Sequence, residues 1–282
     1  MLKAYHDHWA LVTGASSGIG AEFARQLAGR GMHLVLTARR RDKLEQLAQE
    51  LHTRHGTKTE IIAADLGQPG ETARLHGEVA RRGVTIELLV NNAGFGLVSE
   101  VAATDLNRVR ELLRVNIEAL TELTYAYLPG MLERKHGGII NVSSVAAFQP
   151  VAYMSAYAGS KAYVLHFSEG LWAEAQPHGV TVLALCPGTT RTDFFDVAGA
   201  SNWLRNRSAQ TVDQVVRAGL KGLDKGRQYV VSGTGNYILS LLVRLADRRT
   251  VVRESRKYFR PKKAVVESEN TPADDTTHAT TE

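Results

Sequence analysis

Residues 11–27 read LVTGASSGIGAEFARQL, in which an apolar run leads through a glycine-rich loop into an amphipathic segment. Gly14 permits a tight turn, Gly18 lets the backbone approach a phosphate closely, and Gly20 allows the following helix to pack on a sheet. Free N–H groups at the start of a helix favour anions. The stretch therefore predicts a strand, a phosphate-binding loop and a helix, with a plain strand–helix turn as the alternative.

The alternation that begins there continues along the chain. Short apolar runs that predict buried strands occupy residues 9–13, 33–38, 60–64, 87–91, 138–143, 180–186 and 229–232. Segments with apolar residues at helical spacing separate them, at residues 22–30, 42–52, 70–82, 105–128, 156–175 and 212–223. Strict alternation implies right-handed crossovers and a parallel sheet. The predicted fold class is α/β, a single Rossmann-type doubly wound sheet of about seven strands with helices on both faces and a C-terminal helical extension.

Composition narrows the function classes. The chain has 282 residues, 44% of them hydrophobic and 22% charged, as expected of a folded globular protein. With one cysteine, Cys186, it has no intrachain disulfide. We see neither a signal peptide nor an apolar run of the roughly 20 residues that a spanning helix needs, so we predict a cytoplasmic protein. The net charge of +5 comes without a nucleic-acid recognition motif, and the histidines lack metal-ligand spacing, so we expect neither nucleic acid nor a metal.

The end of the second predicted strand reads TARRR, residues 37–41. In proteins that bind NAD an acidic residue near this point binds the ribose 2′-hydroxyl, whereas this chain has Ala38 followed by arginines. An acid would repel a 2′-phosphate, and a guanidinium accepts it through two hydrogen bonds. The pattern predicts NADP(H), with Arg39 as the main phosphate ligand and Arg40 assisting. Solvated arginines that open the next helix are the alternative.

Together with these motifs, several others resemble the short-chain dehydrogenase/reductase family over about residues 8–235. They are DL at 65–66, NNAG at 91–94, VN at 115–116, NVSS at 141–144, YAGSK at 157–161 and PG at 187–188. The resemblance implies a hydride-transferring oxidoreductase. It also implies that the cofactor is held by the glycine-loop residues Gly14, Ser16, Ser17, Gly18, Ile19 and Gly20, by Asp65 and Leu66 at the adenine, by Asn92, Ala93 and Gly94 in the cleft, and by Pro187, Gly188, Thr190 and Thr192 at the nicotinamide.

Two tyrosines precede one lysine in residues 153–161, YMSAYAGSK. Residues four apart share a helix face, which pairs Tyr157 with Lys161 and leaves Tyr153 two turns away. We predict that Tyr157 is the general acid in reduction and that nearby cations, Lys161 and the oxidised nicotinamide, lower its pKa. A second Tyr-x-x-x-Lys, beginning at Tyr258, contains Pro261, which would break a helix.

The resemblance implies two further catalytic residues and a binding role for the lysine. Ser144, 13 residues before Tyr157, would hydrogen-bond the substrate oxygen, and Asn116 would hold a water for a proton relay. Lys161 would also bind the nicotinamide ribose. For Ser144 the alternative is a capping or buried serine, since Ser143 is adjacent. For Asn116 the alternative is an ordinary polar helix residue.

Apolar residues after these motifs predict the substrate pocket: Phe95, Phe148, Tyr153, Phe194 and Trp203. The loop 189–208 is expected to close over it. These residues favour a hydrophobic ketone or secondary alcohol as substrate. A non-catalytic NADP(H)-binding regulator, or an isomerase or dehydratase on the same scaffold, remains as the alternative. By the family's habit we expect a homodimer or homotetramer.

The chain divides into three predicted parts. Residues 1–235 form the NADP(H)-binding catalytic domain, residues 236–260 form a helical extension packed on it, and residues 261–282 are a disordered polar tail. The extension combines apolar and basic faces, so a subunit contact or a membrane surface is the alternative to packing on its own domain.

Overall fold

The computed structural model describes residues 5–200 and 208–260. Its centre is one sheet of seven strands, all of whose pairings are parallel, in the order β3-β2-β1-β4-β5-β6-β7. The strands are β1 Trp9–Thr13, β2 His33–Ala38, β3 Thr59–Ala63, β4 Ile86–Asn91, β5 Gly137–Val142, β6 Val180–Cys186 and β7 Tyr229–Val231. All seven predicted strands are present within one residue of their expected bounds, and the predicted fold class is confirmed.

Ten α-helices are described in these residues. They are α1 Gly18–Ala28, α2 Arg41–His55, α3 Glu71–Arg81, α4 Leu106–Leu113, α5 Leu120–Arg134, α6 Ser155–Ala175, α7 Phe194–Val197, α8 Val212–Asp224, α9 Thr234–Leu245 and α10 Arg248–Phe259. The strand order reverses between β1 and β4, so the loops at their carboxyl ends diverge and open a crevice.

The core lies on both faces of the sheet, because successive side chains of a strand point to opposite sides. In β1, Val12 belongs to the cluster that packs on α1, α2 and α8, whereas Leu11 belongs to the cluster on α3 and α5. Phe23 and Leu27 of α1 are fully buried in the first cluster. This two-sided burial accounts for the nearly continuous apolar strands.

The helix predicted at residues 105–128 differs from the observed structure in two ways. A π-helical turn, Arg114–Ala119, separates α4 from α5, and α5 continues through Pro129 to Arg134. Buried side chains on both sides of the proline, Tyr127 and Met131, anchor the helix to the sheet. Tertiary packing therefore outweighs the local cost of proline.

The segment predicted as a helical extension forms α9 and α10, and it contacts the rest of the protein along one line of each helix. Ser255 Oγ accepts a hydrogen bond of 3.1 Å from Ala152 N, and the Arg244 guanidinium lies 5.7 Å from the centre of the Phe148 ring. Within the described residues, no helix has the length and apolar character needed to cross a bilayer. The predicted tail 261–282 lies outside the described residues, and the three-part division stays a prediction.

Candidate active site

The glycine-rich loop after β1 folds onto itself and onto the segment that follows β4. Gly14 has a φ of +65°, and a Cβ atom there would lie 2.9 Å from Asn92 Nδ2 and 3.0 Å from Ala93 Cα. A Cβ on Gly20 would lie 2.3 Å from the carbonyl oxygen of Gly14. Gly20 therefore serves the close fit of the loop itself, in addition to any role in helix–sheet packing.

The loop is bounded on its other side by the segment after β6. A Cβ on Gly18, whose φ is +57°, would lie 3.1 Å from Thr192 Cγ2. Asn92 Nδ2 donates to the carbonyl oxygen of Thr13 at 2.9 Å, so its side chain is engaged in holding β4 to β1. The predicted cofactor residues after β1, β4 and β6 thus meet around one crevice.

The two arginines predicted to bind a 2′-phosphate occupy different positions. Arg40 Nη2 donates to the hydroxyl oxygens of Ser16 and Ser17, at 3.2 and 3.1 Å. Arg39 is 65% exposed, and its Nη1 lies 3.7 Å from Glu111 Oε1. Arg40 therefore lies directly on the phosphate loop, while Arg39 faces the edge of the crevice; which of them is the main ligand stays a prediction.

At the predicted adenine end, Asp65 closes a turn, because its Oδ1 accepts from Gly67 N at 3.1 Å. The Leu66 side chain packs into the core, so its backbone is the part available to a ligand. An adjacent cavity of about 420 Å³ is lined by Gly67, Gln68, Asn107, Arg110, Glu111 and Arg114. Sequence reasoning missed these residues, because α4 carries no motif that relates it to this edge.

The two serines after β5 have separate roles. Ser143 Oγ donates to the carbonyl oxygen of Lys161 at 2.7 Å and is buried. Ser144 Oγ accepts from Ala146 N at 3.1 Å, and it lies close enough to the Tyr157 hydroxyl to act on the pKa of that group. Neighbouring residues of an extended chain point to opposite sides, so only Ser144 reaches the tyrosine.

Tyr157 and Lys161 lie on the inner face of α6, as their spacing predicts. Lys161 Nζ lies 5.8 Å from the centre of the Tyr157 ring and donates to the Val142 carbonyl oxygen at 2.9 Å. Burial raises the pKa of Tyr157 to about 12, against the lowering effect of the nearby Ser144 hydroxyl, and burial lowers the pKa of Lys161 to about 8. In the protein alone, desolvation thus outweighs the nearby polar groups, and the lowering of this pKa by Lys161 together with an oxidised nicotinamide stays a prediction.

Tyr153 does not lie on that helix, contrary to the prediction that placed it two turns before Lys161. Helix α6 begins at Ser155, and Tyr153 has a φ of +64°, in the left-handed region. Its carbonyl oxygen accepts from Ser99 N at 2.9 Å. The chain turns at Tyr153 before the helix starts, which separates the two tyrosines more completely than spacing indicates.

Asn116 lies in the π-helical turn and holds the segment after β4. Its Nδ2 donates to the carbonyl oxygen of Phe95 at 3.1 Å and to Ser160 Oγ at 3.0 Å, and its Oδ1 accepts from Phe95 N at 3.1 Å. A Cβ on Gly94 would lie 2.9 Å from Asn116 Oδ1 and 3.3 Å from Lys161 Nζ. Asn116 therefore fixes the backbone beside the lysine, and π-turns of this kind often occur at functional sites.

Of the four predicted pocket residues that the structure describes, two lie together beside Tyr157 and two lie apart from them. Phe95 and Phe194 pack on the cluster that contains Tyr157, and the Phe194 ring lies 5.3 Å from the Tyr157 ring. Phe148 belongs to a different cluster, with its ring 6.1 Å from that of Tyr229. Tyr153 is partly buried beside Ser99, and Trp203 lies outside the described residues, as does most of the later half of the predicted closing loop.

A group that sequence reasoning missed braces the segment 187–192. Gln210 N donates to the Thr189 carbonyl oxygen at 2.9 Å, and Gln210 Oε1 accepts from Ser232 Oγ at 2.7 Å and from Asn236 Nδ2 at 3.3 Å. A Cβ on Gly188 would lie 2.1 Å from Asn236 Nδ2. These residues come from three separate parts of the chain, so no local pattern joins them.

A metal-binding group was not expected, and within residues 5–200 and 208–260 no cluster of three histidine, cysteine or acidic side chains has a geometry that could hold a metal ion.

Comparison with known proteins places this geometry in a family. Residues 8–202 match the family model described as short chain dehydrogenase. A very-long-chain 3-oxoacyl-CoA reductase from Anas platyrhynchos is 38% identical over 197 residues, 68% of this chain and 63% of that protein. A protein from Homo sapiens named inactive hydroxysteroid dehydrogenase-like protein 1 is 33% identical over 210 residues, 74% of this chain and 62% of that protein. The chain thus spans less than two thirds of the length of these curated relatives.

Among solved structures, a short-chain dehydrogenase from Sphingobium yanoikuyae in complex with NADPH superposes with a TM-score of 0.77. It is 34% identical, and the match covers 84% of this chain and 94% of that one. The strand order, the glycine loop and the serine, tyrosine and lysine arrangement agree with the family match, and the chain belongs to the short-chain dehydrogenase/reductase family.

Proposed function

We propose that the protein is an NADP(H)-dependent oxidoreductase that transfers a hydride between the cofactor and the carbonyl or hydroxyl carbon of a hydrophobic ketone or secondary alcohol. The observation that carries the proposal is the convergence of Ser144, Tyr157 and Lys161 beneath the rings of Phe95 and Phe194. A protein that only bound the cofactor would have no need for a buried proton donor beside an apolar wall.

The buried groups support proton transfer in a defined direction. A tyrosine with a pKa of about 12 is protonated at neutral pH, so Tyr157 can donate its proton to a carbonyl oxygen during reduction. Ser144, which lowers the pKa of that hydroxyl from beside it, is placed to donate to the same oxygen. Lys161, with a pKa of about 8, keeps most of its positive charge at pH 7 and stabilises the phenolate that remains.

The residues of the crevice fit NADP(H). Gly14 and Gly18, with φ values of +65° and +57°, shape the loop that faces the crevice, and Arg40 with Ser16 and Ser17 forms a polar corner where a 2′-phosphate can be bound. When bound, the cofactor supplies or accepts the hydride. The relative solved with NADPH supports this choice of cofactor.

The substrate class follows from the wall of the site. The cluster around Tyr157 is apolar, with Leu112, Val151 and Met154 buried and Phe95 and Phe194 partly buried against it. Burial of apolar surface favours ligands with a hydrocarbon body. The relative named as a reductase of very-long-chain 3-oxoacyl-CoA acts on a carbonyl compound of this kind, which supports the proposal.

The test is a screen of NADPH oxidation over hydrophobic ketones, including 3-oxoacyl compounds of increasing chain length. We expect turnover that rises with apolar chain length and is lost in Tyr157→Phe, while NADPH binding measured by fluorescence stays within a few-fold of wild type. Turnover that persists in Tyr157→Phe would contradict the assignment of the proton donor.

A second candidate, a non-catalytic NADP(H)-binding protein, is favoured by the relative that is named inactive. The same assay separates the two. Saturable NADPH binding with no consumption of any ketone, in either direction of the reaction, would favour the regulator over the enzyme.

A further inference from the structure

Helix α9 presents its apolar face away from the protein. The line that faces inward is Asn236, Ser240 and Val243, spaced four and three residues apart, and Ser240 is 5% exposed. On the opposite side, Ile238, Leu242 and Leu245 are 50%, 56% and 86% exposed, and Leu239 and Leu241 beside them are exposed too. A surface helix normally has the reverse arrangement, so this face calls for a covering partner.

Helix α10 presents a cationic face in the same manner. Its inward line is Val251, Ser255 and Phe259, and Ser255 is tied to the backbone of Ala152. On a helix of 3.6 residues per turn, the side of α10 turned away from Ser255 carries the uncharged Thr250 and five exposed basic residues, Arg249, Arg253, Arg256, Lys257 and Arg260. The acidic Glu254 is paired with Lys257, so the face keeps a positive excess.

Only Ala246 and Asp247 separate the two helices in the chain, and each helix turns this face away from the rest of the protein. Asp247 begins α10 by accepting a 3.0 Å hydrogen bond from Thr250 N. An apolar strip beside a cationic strip matches the interface of a bilayer with anionic lipids, where acyl chains take the apolar side chains and headgroups neutralise the arginines. A second copy of this chain packed face to face would instead bring arginines of both copies together, which like-charge repulsion opposes.

We propose that the outward surface of α9 and α10 docks on an anionic membrane surface. The helices lie in the interface plane, since α9 has 12 residues and is too short to span. The inward line of α10 carries Phe259, which packs on the cluster around Tyr157, so docking would bring the apolar side of the active site close to the lipid. Docking itself is independent of the proposed reaction.

The experiment is co-sedimentation of the full chain with vesicles of phosphatidylcholine containing about 30 mol% phosphatidylglycerol, and with vesicles of phosphatidylcholine alone. We expect at least about tenfold stronger binding to the anionic vesicles, and a loss of most of that binding at about 0.5 M NaCl, where headgroup charges are screened.

Two variants and one matched control locate the surface. Ile238→Gln/Leu242→Gln/Leu245→Gln removes the apolar strip, and Arg249→Gln/Arg253→Gln/Arg256→Gln removes part of the cationic strip. The control, Arg54→Gln/Arg81→Gln/Arg217→Gln, removes the same charge from exposed arginines of α2, α3 and α8. Both variants should lose at least about tenfold in vesicle binding, and the control should bind as wild type does.

Three outcomes would overturn the proposal. Wild-type protein that does not sediment with anionic vesicles excludes it, as does equal loss of binding in the control. The third outcome is that wild type does not bind vesicles, while the apolar-strip variant sediments as a monomer and wild type as a dimer. In that case α9 is a subunit contact. NADPH binding and the unfolding midpoint report folding of each variant, and the lipid and salt dependence of wild type decides the matter even if a variant does not fold.

Discussion

Helices α1 and α9 are of almost equal length, 11 and 12 residues, and each has one apolar side, yet they bury opposite kinds of surface. Helix α1 buries Phe23 and Leu27 against the sheet and α8. Helix α9 buries Ser240 and leaves its leucines exposed. An amphipathic sequence therefore establishes that an apolar face exists; what covers that face depends on where the fold places the helix.

The two Tyr-x-x-x-Lys sequences also differ in where the fold places them. Replacing the tyrosine of each gives the largest difference in activity that we expect. Tyr157→Phe should lower kcat by about 10²–10⁴-fold, because it removes the proton donor. Tyr258→Phe should leave kcat unchanged, because that side chain is exposed on α10. Steady-state kinetics with a ketone found in the screen measures both, and Tyr153→Phe adds a third comparison that should keep most activity. A dead Tyr153→Phe with an active Tyr157→Phe would reverse the assignment.

Leucine truncation compares α1 and α9 directly. Leu27→Ala should lower the free energy of unfolding by about 2–5 kcal/mol, since it leaves a cavity in the core. Leu242→Ala should change it by less than about 0.5 kcal/mol, since that side chain is 56% exposed. Urea denaturation followed by circular dichroism gives both values. Equal losses would mean that the α9 face is covered in the isolated protein, as a subunit contact would require.

The burial of Lys161 predicts a pH dependence of the free energy of unfolding. Burial lowers its folded pKa from 10.5 to about 8, so the unfolded chain binds this proton more tightly between those values. Stability contributed by this site is therefore lowest below pH 8 and rises with pH up to about 10.5.

In the accessible part of that range, pH 8 to 10, the stability of wild type should rise relative to Lys161→Met by about 2–3 kcal/mol. Urea denaturation at several pH values measures the difference, and Lys257→Met is the control. Tyr157 and Cys186, whose pKa values burial raises to about 12, work in the opposite direction at the upper end, which is why the comparison is with the variant. A flat difference would contradict the buried, desolvated lysine.

Arginines of the cofactor crevice and of α10 provide a smaller test, which concerns the choice of cofactor. We expect NADPH to be preferred over NADH by at least about tenfold in kcat/KM, which is about 1.4 kcal/mol. Ala38→Asp with Arg39→Ala should reverse the preference, and Arg40→Ala should weaken it through the loss of its contacts with Ser16 and Ser17. Replacement of Arg253 and Arg256 on α10 should leave it unchanged. Equal use of both cofactors by wild type would refute the assignment to NADP(H).

Assembly gives the smallest expected effect. We propose that the protein forms a dimer or tetramer through α5 and α6, where Tyr125 is 68% exposed and Tyr163 stacks on Phe167 at 5.5 Å. Tyr125→Ala should raise the dimer dissociation constant by about tenfold, as truncation of an aromatic side chain in an interface often does. Sedimentation velocity at micromolar concentration measures this, with Leu242→Ala as the control on α9. A wild-type monomer would refute the proposal.

Much of the fold was predictable, for a definite reason. Strands buried on both faces require nearly continuous apolar runs such as residues 180–186, and helices on a sheet require apolar residues at helical spacing. The pairing of Tyr157 with Lys161 was predictable too, because both ends of that contact lie within one turn of a helix. These relations are local, so they can be read from residues that are close in the chain.

By itself the sequence thus determined the succession of strands and helices along the chain, the glycine loop and the pairing of Tyr157 with Lys161. Only the tertiary structure decided that Ser143 bonds to the backbone of α6 while Ser144 lies beside Tyr157. The tertiary structure also decided that a π-turn directs Asn116 to Phe95. It placed Gln210 and Asn236 so that they support the segment beside Gly188. Only the folded protein showed, too, that the leucines of α9 face outward. The physical reason is that each of these depends on the distance between residues far apart in the chain, and that distance is set by packing against the sheet.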